Sequence, residues 1–226
     1  MENLILAEQL IDNLLQIKAI RMSPQNPFTW ASGWKSPVYC DNRKILSYPI
    51  VRDLVKGGIY EMAKNQFSNF NCIASLIVNN FPTVDCIAGV ATAGIAWGAI
   101  LADQLNLPFV YVRSKPKEHG MKNTIEGDLP ENARVLVVED VISTGMSSLQ
   151  AVDDLRAQSA QIIGMLAIYT YGFPMAIEKF EQKEVVLKTL TNYEVLTKIA
   201  LKKGFIEKDV LETLILWRNN PDTWNQ

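Results

Sequence analysis

The stretch Val135-Leu-Val-Val-Glu-Asp-Val-Ile-Ser-Thr-Gly-Met-Ser-Ser148 decides the fold. Val135 to Val138 form an unbroken apolar run, the pattern of a strand buried on both faces in a helix-covered parallel sheet. Glu139 and Asp140 follow at its carboxyl end, outside which open parallel sheets bind their ligands. Successive side chains of a strand point to opposite faces, so these carboxylates can share a ligand only if the chain is already turning there. Ser143, Thr144, Gly145, Ser147 and Ser148 supply small side chains, hydroxyls and a helix start. Backbone N–H groups and the positive end of a helix dipole can cradle a phosphate at such a place. Two carboxylates beside an anion cradle suit a sugar phosphate, with acceptors for a diol and donors for the phosphate. A plain Ser/Thr cap after an acidic strand end has the same outline with no ligand at all, so the surroundings must decide.

Working outward, a strand over Val84–Val90, a helix over Gly94–Leu105 and a strand over Pro108–Val112 precede the segment. A strand over Arg134–Val138, a helix over Gly145–Gln158 and a strand over Gln161–Thr170 contain and follow it. This alternation predicts an α/β fold, a doubly wound, mostly parallel sheet with helices on both faces. Upstream, spacing predicts helices over Glu2–Ile20, Ile50–Gln66 and Phe70–Phe81, with a loop-rich cap of short β pieces from Ser23 to Pro49. Downstream, a strand at Val185–Leu187 and a helix over Lys208–Arg218 are expected. With no repeat or linker, residues 1–226 read as one domain, to which 1–49 contribute the first helix and the cap.

Composition narrows the function. With 22 Lys and Arg against 24 Asp and Glu, the net charge is −2, which argues against a nucleic-acid or membrane-surface protein. Cys40, Cys72 and Cys86 show no metal-knuckle spacing and their number is odd, so they read as reduced thiols. The N-terminus lacks a basic signal region, and the apolar stretch Ala88–Ala102 is short and interrupted by glycines. A cytoplasmic location is expected.

One local cationic run stands out: Arg113-Ser-Lys-Pro-Lys-Glu-His-Gly120, continuing through Lys122. Bracketed by Pro116 and Gly120, it fits a loop that folds over an anion. Alone it also reads as a solvated loop, diluted by Glu118, Glu126 and Asp128. The two motifs support each other. Ribosyl transfer from a diphosphate creates an anionic leaving group and an oxocarbenium-like carbon, which cations and exclusion of water would stabilise. His119, the single histidine, has no apolar core to belong to there and suits phosphate contact or proton transfer.

The segment 135–148 closely resembles the signature of type I phosphoribosyltransferases. Phe28-Thr-Trp-Ala-Ser-Gly-Trp-Lys-Ser-Pro-Val-Tyr-Cys-Asp-Asn-Arg43 and the Arg-x-x-x-Lys-x-His-Gly loop resemble the hood and loop of orotate phosphoribosyltransferases, with similarity from the first helix to about Gly172. The resemblance implies the type I fold with an N-terminal hood. It also implies transfer of phosphoribosyl from 5-phosphoribosyl 1-diphosphate to orotate in pyrimidine (UMP) biosynthesis, giving orotidine 5′-phosphate and diphosphate. Mg2+ would be bound mainly through the substrate, without an all-protein metal site. Glu139 and Asp140 would hold the ribose hydroxyls, and Val141, Ile142, Ser143, Thr144, Gly145, Met146 and Ser147 the 5′-phosphate. Ser143 and Tyr39 would face orotate. Arg113, Lys117 and His119 would contact the diphosphate, Lys117 and His119 being catalytic, in a homodimer that shares loop 113–128 between subunits.

Ala31, Ala93, Ser114 and Tyr171 stand where bacterial relatives carry cations, and Met146 where they carry a small residue or Thr. Lys35, Arg43, Lys44 or Lys115, or backbone donors, would then have to hold the orotate carboxylate. A purine phosphoribosyltransferase and a non-catalytic regulator sensing the diphosphate are the competing readings.

Overall fold

Helix α1 (Leu4–Gln16) buries Ala7, Leu10, Ile11, Leu14 and Leu15, the one-sided spacing of an amphipathic helix. In this computed structural model, which describes residues 4–30, 32–66, 84–114 and 124–224, α1 ends before the expected Ile20. Lys18 turns to a φ of 54°, the Ala19 N–H bonds back to Leu14 O at 2.9 Å, and Ile20 enters a strand. That strand, β1 (Ile20–Met22), pairs antiparallel with β4 (Val38–Cys40). Between them β2 (Phe28–Thr29) and β3 (Lys35–Ser36) form a second small ladder, so the cap read from Ser23 to Pro49 is built of hairpins. A 3-10 helix (Asn42–Ser47) leads into α2 (Pro49–Gln66). The helix expected at Phe70–Phe81 lies outside the described residues.

The core strands are β5 (Cys86–Val90), β6 (Phe109–Val112), β7 (Ile125–Glu126), β8 (Arg134–Ile142), β9 (Gln161–Thr170) and β10 (Leu187–Asn192). They form one sheet in the order β10-β9-β8-β5-β6-β7, parallel except for the β6–β7 pair. Helix α3 (Gly94–Leu105) carries the chain from β5 to β6, while α4 (Met146–Ala157) and α5 (Pro174–Gln182) step the other way to β9 and β10. Right-handed crossovers in opposite directions put these helices on opposite faces, the doubly wound arrangement expected. α3 lies close to the sheet because its contact residues lack side chains. A Cβ at Gly94 would sit 2.5 Å from Val138 O, and one at Gly98 would sit 3.1 Å from Gly89 Cα.

Two departures concern the tail. The expected strand at Val185–Leu187 begins only at Leu187 and runs to Asn192. It is an edge strand with the polar residues Lys188 and Thr189, so no apolar run marks it, and Val186 is exposed. Helices α5 and α6 (Tyr193–Lys202) were not foreseen. Pro174 in the first turn of α5 and the Asn192 cap of α6, whose side chain accepts the Val195 N–H at 3.0 Å, are their local signals.

Helix α7 (Lys208–Asn219), close to the span expected, fastens the cap to the sheet. Trp217 is fully buried and its Nε1–H donates to Lys35 O at 3.0 Å. Its ring meets Trp30, Tyr171, Phe173 and Tyr193 at centroid distances of 5.3–5.8 Å. Trp217→Ala should cost about 3–5 kcal/mol by chemical denaturation and speed hydrogen exchange of the 28–40 amides. Unchanged exchange there would show that α7 does not hold the cap.

Candidate active site

Strand β8 continues four residues past its apolar run. Its ladder with β9 pairs Glu139 with Ala167, Val141 with Tyr169 and Ile142 with Thr170, and the Tyr171 N–H closes it on Ile142 O at 3.0 Å. The expectation that the strand ends at Val138 is therefore corrected: both acids stand inside the strand. They meet because Glu139 bends back, its Oε1 accepting the Asp140 N–H at 2.9 Å. Its Oε2 accepts the Ser148 hydroxyl of α4 at 3.1 Å. Glu139 is only 6% exposed, whereas Asp140 is half-buried.

The turn comes at Ser143–Gly145. Gly145 takes a φ of 74°, and a Cβ there would lie 2.8 Å from Phe180 Cε2 of α5, so glycine is required on both counts. Because Gly145 is the N-cap of α4 and has no side chain, the leading N–H groups of the helix are not capped from that position. Ser143, Thr144 and Ser147 surround that end. Met146 is 66% exposed, so its bulk stands in solvent rather than inside the turn.

A cleft of about 110 Å³ opens beside this turn, lined by Val90, Ala91, Val112, Arg113, Ser114, Ser147, Gln150 and Ala151. It joins the carboxyl ends of β5 and β6 to the start of α4. Connections leave β5 and β8 in opposite directions, the switch point where such sheets bind ligands. The cationic loop springs from the same place. The Arg113 N–H bonds to Thr124 O at 2.8 Å, and its guanidinium pairs with Glu126 at 3.3 Å. Lys115, Lys117, His119 and Lys122 lie outside the described residues.

The hood reaches the backbone at Asp140 through Asn42, which sequence reading passed over. Its side-chain amide donates to Asp140 O at 2.9 Å and also accepts a contact from Cys40 Sγ at 3.3 Å. Ser148, which steadies Glu139, was read only as part of the hydroxyl-rich turn. Nothing in the local pattern couples either residue to the strand; both partnerships need the fold. The Tyr39 ring lies tilted against Phe28 at 5.6 Å, with the Arg21 guanidinium 5.1 Å from its ring. Tyr171 is not a ligand position but a buried anchor, its hydroxyl 3.5 Å from Val38 O.

Burial pushes the Glu139 carboxyl well above the usual range, and the Asp140 charge adds to the rise. Burial also raises Asp140, opposed first by hydrogen bonding with Glu139 and the Val141 backbone and then by the Arg43 guanidinium. Cys40 is held as a thiol by burial and by the charges of Asp140 and Asp41. Among the described residues no cluster of three or more His, Cys, Asp or Glu side chains is placed to hold a metal ion.

Residues 60–197 match the family model described as a phosphoribosyl transferase domain. The chain is 54% identical over 214 residues to the orotate phosphoribosyltransferase of Bacteroides thetaiotaomicron, covering 95% of this chain and 94% of that one. Among solved structures, orotate phosphoribosyltransferase from Aeropyrum pernix matches with a TM-score of 0.71 at 27% identity, covering 88% of this chain and 99% of that one. Leishmania donovani UMP synthase matches in fold with a TM-score of 0.70 at 21% identity, and the match covers 94% of this chain and 42% of that one.

A pH-dependent stability follows from Glu139. Its folded pKa lies above the ordinary value of 4.5, so the folded state keeps a proton that the unfolded chain releases. The resulting stability is present below about pH 4.5 and lost as pH rises through the raised value. Glu139→Gln should therefore melt higher than the wild type by about 2–4 °C at pH 8, with the gap closing toward pH 5. A pH-independent gap would refute this origin.

Proposed function

This chain belongs to the orotate phosphoribosyltransferases, within the type I phosphoribosyltransferase family, and we infer that it transfers the 5-phosphoribosyl group of 5-phosphoribosyl 1-diphosphate to orotate. The products are orotidine 5′-phosphate and diphosphate, a step of pyrimidine (UMP) biosynthesis. The observation that carries this reading is the joining of three parts at Glu139–Asp140: the strand-end carboxylates, the start of α4 through Ser148 on Glu139, and the hood tied by Asn42 to the Asp140 backbone. A sugar phosphate with a base at its anomeric carbon needs those three parts together. The relative that is 54% identical over almost the whole chain favours orotate over a purine base and an enzyme over a sensor.

In the proposed mechanism orotate N1 attacks the anomeric carbon as the bond to diphosphate breaks, and the N1 proton passes to the departing diphosphate or to solvent. Asp140 and Glu139 hold the ribose hydroxyls, the former from its more open position. The turn Val141 to Ser147 holds the 5′-phosphate with backbone N–H groups and hydroxyls. Ser143 and Tyr39 border the base. Arg113, Lys117 and His119 neutralise the departing diphosphate and close off water; Lys117 has the largest influence on the chemical step. The carboxylates near the ribose are hard oxygen donors suited to Mg2+ carried mainly by substrate oxygens, which would neutralise the diphosphate further.

We further propose that residues 1–226 act as a single domain, and that the enzyme is a homodimer in which loop 113–128 completes the neighbouring site. It works in the cytoplasm; among the described residues no helix is long and apolar enough to cross a membrane.

Loss of orotate absorbance in the presence of phosphoribosyl diphosphate and Mg2+ tests the reading, with adenine, hypoxanthine and uracil in parallel. Consumption of orotate is expected; binding of the diphosphate without turnover of any base would overturn it. Lys117→Ala should lower kcat by about 10²-fold or more with a smaller change in orotate binding, and equal losses would remove its assigned role. Asp140→Asn should weaken phosphoribosyl diphosphate binding with the fold intact; unchanged affinity would exclude the ribose contact.

A further inference from the structure

We propose that Arg43, at the start of the 3-10 helix under the hood, is the residue that binds the carboxylate of orotate and so selects a carboxylated pyrimidine over an uncharged one. This deepens the proposed function and rests on it.

Orotate differs from uracil by a carboxylate on C6, next to the N1 that becomes bonded to the ribose. In the reacting complex that carboxylate lies beside the anomeric carbon, within a few bonds of the ribose hydroxyls. Whatever neutralises it must therefore stand near the group that holds those hydroxyls, which is Asp140. Four positions where a cation was expected, Ala31, Ala93, Ser114 and Tyr171, cannot supply one.

The remaining described cations around the hood are committed elsewhere. Lys44 Nζ donates to Ile17 O at 2.9 Å and Lys18 O at 3.1 Å, behind the hood at the end of α1. Lys35 Nζ donates to Thr29 Oγ1 at 2.9 Å across the β2–β3 ladder. Arg21 lies over the Phe28 and Tyr39 rings. Arg218 holds Gly172 O with Nε and Nη2 at 3.3 and 3.1 Å.

Arg43 is differently placed. The residue before it, Asn42, is pinned to the Asp140 backbone carbonyl at 2.9 Å, so the chain at Arg43 is held close to Asp140, whose charged form the guanidinium favours. Asp41 grips Nε and Nη2 at 2.6 and 3.0 Å, an arrangement that sets the plane of the guanidinium and leaves Nη1 outside the pair. Its side chain is 60% exposed, so it is accessible to a ligand. A planar fork already oriented by one carboxylate can offer its other edge to a second.

The test compares orotidine 5′-phosphate with uridine 5′-phosphate, which differ only by the carboxylate, binding each by calorimetry to the wild type, Arg43→Ala and Arg43→Lys. Arg43→Ala should weaken orotidine 5′-phosphate by about 10- to 100-fold and uridine 5′-phosphate by less than about 3-fold. Arg43→Lys should recover part of the difference. Equal weakening of both nucleotides, or no weakening of either, would overturn the proposal. Because Arg43 is exposed, melting curves of the variants should overlay that of the wild type. Turnover of orotate by the wild type, measured alongside, separates the two ideas: no turnover sinks the proposed function and the inference together, whereas normal turnover with unselective loss in Arg43→Ala sinks the inference alone.

Discussion

The ladder between β8 and β9 is the constraint on which the site depends. Had β8 ended with its apolar run, Glu139 and Asp140 would lie on a loop with many conformations. Paired through Ile142, they inherit the rigidity of a sheet centre, and the turn at Ser143–Gly145 starts from a fixed direction. Catalytic contacts tolerate only small errors in placement, so carrying the ladder past the hydrophobic core converts strand stability into ligand geometry. The glycine contacts of α3 serve the same end, because Gly94 brings that helix against Val138 O immediately before the carboxylates.

Holding Glu139 there has a cost. A carboxylate 6% exposed beside a second one is disfavoured in its charged form by lost hydration and by repulsion. The Asp140 N–H and the Ser148 hydroxyl offset part of this. Both donors come from elements that also shape the phosphate turn, since Ser148 lies in the first turn of α4. The acid and the anion cradle are thus one hydrogen-bonded unit, and a change in either is felt by the other.

Much of this was legible in the chain. Gly94–Leu105 and Gln161–Thr170 follow their helical and strand patterns to the residue because each buries one continuous apolar face or run. Arg134–Val138 was read correctly but too short: Glu139 and Asp140 carry no apolar pattern, and only their partners on β9 extend the strand. β10 was displaced for a related reason, since an edge strand need not be hydrophobic. The turn before α4 was visible because its requirements, glycine and hydroxyls before a helix, are local. Asn42 and Ser148 were not, because their partners lie 98 and 9 residues away and no spacing rule links them.

Just past the end of β9, Tyr171 carries an aromatic ring stacked on Phe173 at 5.5 Å and set against Trp30 at 5.0 Å. A buried ring cluster of this kind contributes through area and ring geometry, and it joins the sheet end, the hood and α7 in a single packing unit. A charged side chain there would be stranded among rings. Tyr171 thus holds the hood to the sheet end from one side, while Asn42 ties the hood backbone to Asp140 from the other.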